Sequence, residues 1–172
     1  DFAKVSQFKT KKYICIAPTS LWYTKQFPPE KWTAFIKELD SELVVYFLGA
    51  KTDEPVCEEI IADSGHTNSL NLCGKLTFLE SAALMKDASM NFVNDSAPQH
   101  FASAMNAPLT SVFCSTVPAF GFGPLSDDSV VVETDETLDC KPCGLHGFKT
   151  CPEKHFKCAL TINKEKLLKR VN

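Results

Sequence analysis

Three polar stretches each follow an apolar run in this chain, and each carries residue types suited to binding an anion or a sugar. The first follows KYICIA (12–17) and reads PTSLWYTKQFP. Thr19 and Ser20 put two hydroxyls at a strand's end, and Lys25 adds a cation just before the next helix. Hydroxyls with a lysine suit phosphate oxygens, although the same residues also build an ordinary solvated turn. The second follows LVVYFLG (43–49) and reads AKTDEP. A carboxylate at a strand tip can accept hydrogen bonds from ribose hydroxyls. Asp53 and Glu54 are both placed for this, and either serves equally well as a helix N-cap or first-turn acid. The third, FVNDSAPQH (92–100), runs from an apolar strand into a helical pattern. Pro98 suits the first helical position, where its missing N–H costs nothing. The N–H groups of Ser96, Ala97 and Gln99 then face outward at the positive end of the helix, an arrangement that binds phosphate without a dedicated side chain. Asp95 is expected to hold this loop through backbone hydrogen bonds. His100 in the first turn either donates to a phosphate or sugar oxygen or is a packed or surface residue.

These junctions need elements to position them, and the hydrophobic pattern supplies a set. Trp32, Phe35, Ile36 and Leu39 recur at helical spacing after Pro28-Pro29. LVVYFLG is a continuous apolar run, as in a parallel strand covered on both faces. Helices are expected over 53–64, ending at Gly65, and over 77–87, where Thr77 and Glu80 have capping-box spacing. MNFVN (90–94), PLTSVF (108–113) and SVVVE (129–133) read as further strands, and Pro98, Phe101, Ala102 and Met105 share one helical face. Alternating strands and helices with short connections predict βαβ crossovers. The fold class is therefore α/β, a Rossmann-like parallel sheet with helices on both faces. Residues 1–12 form an N-terminal segment or linker, 13–135 the Rossmann-like domain, and 136–172 a Cys-rich loop and C-terminal helix of that domain.

Composition narrows the function classes. The 172 residues are 44% hydrophobic and 23% charged with a net charge of −3, an ordinary globular balance that gives no sign of nucleic-acid binding. The basic runs at Lys4–Lys12 and Lys164–Arg170 read as solvated ends. No apolar run reaches the ~20 residues of a spanning helix. The chain opens DFAKVSQFKTKK, without Met and without a signal-peptide core, so a processed chain or a piece of a longer protein is expected. Of eight cysteines, Cys15, Cys57, Cys73 and Cys114 stand singly in apolar segments, as core residues of a reducing compartment do. Cys140, Cys143, Cys151 and Cys158 cluster in CKPCGLHGFKTCPEKHFKC. That spacing suits a structural zinc site, with His146 and His155 as substitute ligands, two disulfides, or free thiols.

In order and spacing the junctions resemble the C-terminal half of glycosyltransferase family 9, the bacterial heptosyltransferases of lipopolysaccharide core synthesis. The matching pieces are IAPTSLWYTKQFPPEKW, VVYFLGAKTDE and NLCGKLTFLESAALMKDASMNFVNDSAPQHFASAMNAPLTSVF, with Lys25–Pro28 and Asn94–His100 the most specific parts. The resemblance implies the C-terminal half of a GT-B glycosyltransferase, two Rossmann-like domains facing each other across a cleft. It implies an ADP-heptose-like nucleotide-sugar donor and a glycolipid acceptor reached through a separate N-terminal domain that also carries the catalytic base. By the same resemblance Thr19, Ser20 and Lys25 contact the diphosphate, and Lys25 and the helix dipole stabilise the departing charge. Asp53 or Glu54 takes the ribose, the turn containing Asp95, Ser96, Ala97 and His100 holds the diphosphate, and Gly74–Thr77 lies near the adenine. No metal or other cofactor is implied at the donor. The setting implied is the cytoplasm, at the inner face of the bacterial inner membrane, with peripheral association of the full-length protein. The family's turn usually has Gly where Ala97 stands, which predicts a reshaped loop or weaker donor binding, since Ala tolerates positive φ poorly. This piece is expected to bind donor without transferring sugar. The alternatives are a non-catalytic nucleotide-sugar-binding or regulatory module and a zinc-stapled interaction domain.

Overall fold

The computed structural model describes residues 2–171. Six parallel strands form one sheet: β1 (Tyr13–Ala17), β2 (Val44–Phe47), β3 (Ser69–Asn71), β4 (Met90–Asn94), β5 (Leu109–Val112) and β6 (Ser129–Val132). Their spatial order is β3-β2-β1-β4-β5-β6, the doubly wound Rossmann order. The chain leaves β1 toward one edge, then returns to lay β4 on the other side of β1. The carboxyl ends of β1 and β4 therefore flank the switch point, where open α/β sheets leave a crevice.

Alternation along β1 supplies both faces with core. Ile14 and Ile16 join one apolar cluster with Trp32, Phe35 and Ile36 of α2 (Pro29–Ile36) and Cys57 and Ile60 of α3 (Glu54–Ser64). Tyr13, Cys15 and Ala17 face a second cluster with Leu84 and Met85 of α4 (Phe78–Lys86) and Ala102 of α5 (Ala97–Ala104). Burial on both faces explains why β1 and β4 carry no exposed residue. The Cys15 thiol, enclosed here, is pushed well above its ordinary pKa by desolvation.

Gly65 ends α3 in the left-handed conformation, and the Thr77–Glu80 capping box opens α4, both as their residue types predict. Leu39 lies beyond the last turn of α2 yet stays in the core. The sequence pattern misses β3, because SLN is a three-residue edge strand in which only Asn71 is buried. It also misses α1 (Ala3–Ser6), whose Val5 is fully buried in the second cluster. At the other end, α6 (Lys157–Leu160) and α7 (Glu165–Leu168) deliver Cys158, Ala159, Ile162 and Leu167 to the first cluster. The basic ends are largely paired: Lys9 with Asp87, Lys166 with Asp135, Lys164 with Glu38 and Arg170 with Asp128. Among the described residues no helix is long and apolar enough to cross a membrane.

Candidate functional site

A cavity of about 510 Å³ opens at the carboxyl edge of the sheet, lined by all three polar junctions. One wall is polar: Thr19, Ser20, Lys25, Asp95, Ser96 and Ala97. The other is largely apolar, with Leu48, Leu76, Phe78, Met85 and Phe101, and carries Asp53 at its rim. A long ligand with one charged and one flat apolar end matches that division.

The polar wall is built on Asn94, the last residue of β4. Its buried amide donates to Pro18 O (2.6 Å) and accepts from Phe27 N–H (3.0 Å), so both ends of the β1 loop are tied to β4. The loop between them tightens into a 3-10 turn, Tyr23–Lys25, that sends Lys25 into the cavity. The Lys25 Nζ lies 2.7 Å from Asp95 Oδ2, with side chains 16% and 7% exposed, and Thr116 Oγ1 donates to the same oxygen at 2.6 Å. Asp95 thus holds the loop through its carboxylate, with the cation and Thr116 as partners, rather than through backbone hydrogen bonds. Its own N–H goes to Val112 O (3.1 Å) as a continuation of the sheet ladder. An ammonium has three donors, so the pair fixes Lys25 while leaving others for a ligand.

Beside this pair, α5 begins without a cap. Ser96 is the N-cap residue but makes no side-chain capping bond, and the first turn contains no acid. Among the described residues neither the Ser96 nor the Ala97 N–H meets an acceptor. Ala97 is the first helical residue and Pro98 the second, one place later than the sequence suggests. Gln99 N–H is not free, since it donates to Ser96 O at 3.1 Å. Ala97 is not among the residues with positive φ, so alanine in place of glycine strains nothing here. His100 is exposed and does not line the cavity.

At the second junction, Asp53 Oδ2 accepts from Ala50 N–H at 2.7 Å, closing the short turn before α3. Its other oxygen carries no hydrogen bond among the described residues. Asp53 stands at the N-cap position of α3 but makes no side-chain capping bond there, so its carboxylate closes the 3-10 turn Lys51–Asp53 instead of capping the helix. Glu54 instead pairs with Lys51, whose hydrogen bond holds its carboxyl below the ordinary range, and it does not line the cavity. Two glycines make the close approach possible. A Cβ on Gly49 would fall 2.8 Å from Asp53 Oδ2, and one on Gly74 (φ +70) 2.8 Å from the Lys51 Cα. Of the Gly74–Thr77 stretch, Gly74 and Leu76 reach the cavity.

Cys140, Cys143, Cys151 and Cys158 are free thiols. Among the described residues no three His, Cys, Asp or Glu side chains are gathered as a metal-ion group. Burial, reinforced by the neighbouring Cys151, pushes the Cys158 thiol up to about 11. Sequence reasoning missed Asn94 as a loop anchor, Thr116 as a partner of Asp95, and the contact of the Cys-rich loop with Thr24. Only Asn94 carried a local signal, as a buried amide ending a strand.

The family model of glycosyltransferase family 9 (heptosyltransferase) matches residues 1–156. The chain belongs to glycosyltransferase family 9. A lipopolysaccharide heptosyltransferase 3 of Escherichia coli is 36% identical over 119 residues, which is 67% of this chain and 34% of that protein. Among solved structures, the ADP-heptose lipopolysaccharide heptosyltransferase II of E. coli superposes with a TM-score of 0.76 at 21% identity, covering 98% of this chain and 48% of the other. A family 9 transferase of Veillonella parvula gives a TM-score of 0.77 at 20% identity, covering 96% and 47%. At those identities the likeness is one of fold, and it extends to the Cys-rich loop and C-terminal helices of this family 9 chain. The chain spans between about a third and a half of the length of these relatives.

Proposed function

We propose that this chain is the donor-binding half of a glycosyltransferase that moves a sugar from an ADP-heptose-like nucleotide sugar to a lipopolysaccharide-type glycolipid. The observation that carries the reading is the open N-terminus of α5. Two unengaged N–H groups, Ser96 and Ala97, share one wall with Lys25, Thr19 and Ser20. A helix N-terminus carries about half a unit of positive charge. Free amides with a fixed ammonium beside it form an anion site suited to a diphosphate.

The Lys25–Asp95 pair is neutral in sum, so the amides and hydroxyls supply most of the attraction and Lys25 supplies a directed donor. Adenine then lies on the apolar wall of Leu48, Leu76 and Phe101, and the free oxygen of Asp53 receives a ribose hydroxyl. In the full-length protein an acceptor hydroxyl attacks the anomeric carbon of the sugar while the bond to the diphosphate breaks and ADP leaves. Lys25 and the α5 terminus meet the negative charge that develops on the departing diphosphate, which is preorganised electrostatic catalysis. The acceptor and its activating base belong to the facing domain, and the glycolipid acceptor sets this chemistry at the inner face of the inner membrane. Membership of family 9 and the heptosyltransferase relatives support the donor and acceptor classes.

Calorimetric titration with ADP, with UDP and GDP as controls, tests the reading. ADP binds in preference to both controls, and Lys25→Ala weakens it about tenfold to a hundredfold, the loss of one charge-assisted hydrogen bond. Equal affinity in wild type and Lys25→Ala, or no nucleotide binding, contradicts it.

A further inference from the structure

Lys25 is held from behind by a segment far away in sequence. Thr24, 1% exposed, donates its N–H to Phe148 O at 3.1 Å, and its Oγ1 accepts from Phe148 N–H at 2.8 Å. Ser115 Oγ donates to the same Thr24 Oγ1 at 3.1 Å, while Ser115 O accepts from Cys143 N–H at 2.7 Å. The Cys-rich loop is thus latched to the lysine-bearing turn and to the chain leaving β5. Gly147 (φ +77) runs so close that a Cβ there would lie 2.8 Å from Thr24 Oγ1 and 3.0 Å from Lys25 Cγ. The glycine backbone is one wall of the slot in which the aliphatic stem of Lys25 lies.

We infer that this loop is a positioning strap for Lys25, with Thr24 and Gly147 as positioning residues for the diphosphate-binding ammonium. A free lysine side chain, with four rotatable bonds, has substantial rotamer entropy to lose on binding. Here the stem is fixed by the strap and the head by Asp95 before any ligand arrives, so that cost falls on folding and not on binding. The inference rests on the donor-site reading, and it assigns to the Cys-rich loop a part in that site.

The test compares Thr24→Val, which keeps the shape and removes the hydroxyl, with Thr24→Ser, which restores it. ADP and adenosine are titrated into each variant, alone and combined with Lys25→Ala. Thr24→Val weakens ADP about fivefold to tenfold, the worth of roughly one hydrogen bond, and leaves adenosine unchanged. Thr24→Ser returns ADP affinity to within about twofold, and Thr24→Val has no further effect when Lys25 is already Ala. Equal weakening of ADP and adenosine, or full additivity with Lys25→Ala, overturns the strap. Should Thr24→Val not fold, Ser115→Ala removes the second latch with the same expected pattern. Should the wild type bind no ADP, the donor reading fails, and the strap is judged by the acylation rate of Lys25 read by mass spectrometry. Loosening the latch speeds Lys25 acylation severalfold without changing other lysines; an unchanged rate overturns the strap.

Discussion

The chain carries two helix N-termini on the same face of one sheet, and they are finished in opposite ways. At α4, Thr77 Oγ1 accepts from Glu80 N–H (3.2 Å) and Glu80 Oε2 accepts from Thr77 N–H (2.7 Å), so the terminus satisfies its own donors. At α5 the N-cap serine makes no capping bond, the first turn has no acid, and two donors face a cavity beside a lysine. A capped terminus is finished as structure. An open one gives up part of that stability, and the gap is filled when an anion arrives. Other helices, α2 and α3 among them, also start without a side-chain cap but carry a first-turn acid, so what marks α5 is a start with neither cap nor acid that opens on a cavity beside a lysine.

The largest effect comes from breaking the support beneath the open terminus. Asp95→Ala leaves Lys25 nearly buried without its counter-charge and should cost about 2–4 kcal/mol in urea denaturation. ADP affinity should fall as well, although a negative charge has been removed from an anion site, because Lys25 is no longer aimed. A rise in affinity would show that Asp95 merely opposes the ligand.

Next is conversion of one terminus into the other. Ser96→Asp gives α5 a carboxylate cap of the kind preferred at that position. It should raise stability by about 0.5–1 kcal/mol while lowering ADP affinity about tenfold, since the carboxylate takes the donors and repels the diphosphate. Opposite signs in thermal melting and titration are the signature; parallel changes would count against an anion site.

Removing the closed cap is a smaller perturbation. Thr77→Ala should cost about 1 kcal/mol of stability and leave ADP affinity where it was. The same cap is sensitive to acid. Hydrogen bonding from Thr77 holds the Glu80 carboxyl below its ordinary value, so its contribution is complete above pH 4.5 and is lost as pH falls further, through the folded value. The protection of the Thr77 amide, its exchange rate taken relative to the intrinsic rate at each pH, should fall below that pH. The smallest expected effect is that of His100→Ala, which should leave ADP affinity unchanged because the ring lies outside the cavity.

Much of this contrast is legible in the sequence because it is local. The spacing of Thr77 and Glu80 announces a capping box, and the strand ending at Asn94 followed by Ser96 and Pro98 announces a helix start without an acid. The alternation of strands and helices is legible because the other five strands are long and apolar enough to be seen, whereas β3, three residues at an edge, is not. The interior of the site is hidden for a different reason. Thr24 meets Ser115 and Phe148, 91 and 124 residues away, and Asp95 meets Thr116 across the ends of two strands. Nothing in the neighbourhood of those residues along the chain carries the pairing, so Asp95 reads as a backbone-binding turn residue when it is the counter-ion of Lys25.

The most direct test follows backbone amides by two-dimensional NMR while ADP, and separately adenosine, is added. The donor-site account predicts that Ser96 and Ala97 shift strongly with ADP and little with adenosine, while Glu80 at the closed terminus shows no such diphosphate-dependent change. Equal responses to the two ligands at Ser96 and Ala97, or none, would mean that the open terminus does not hold the diphosphate.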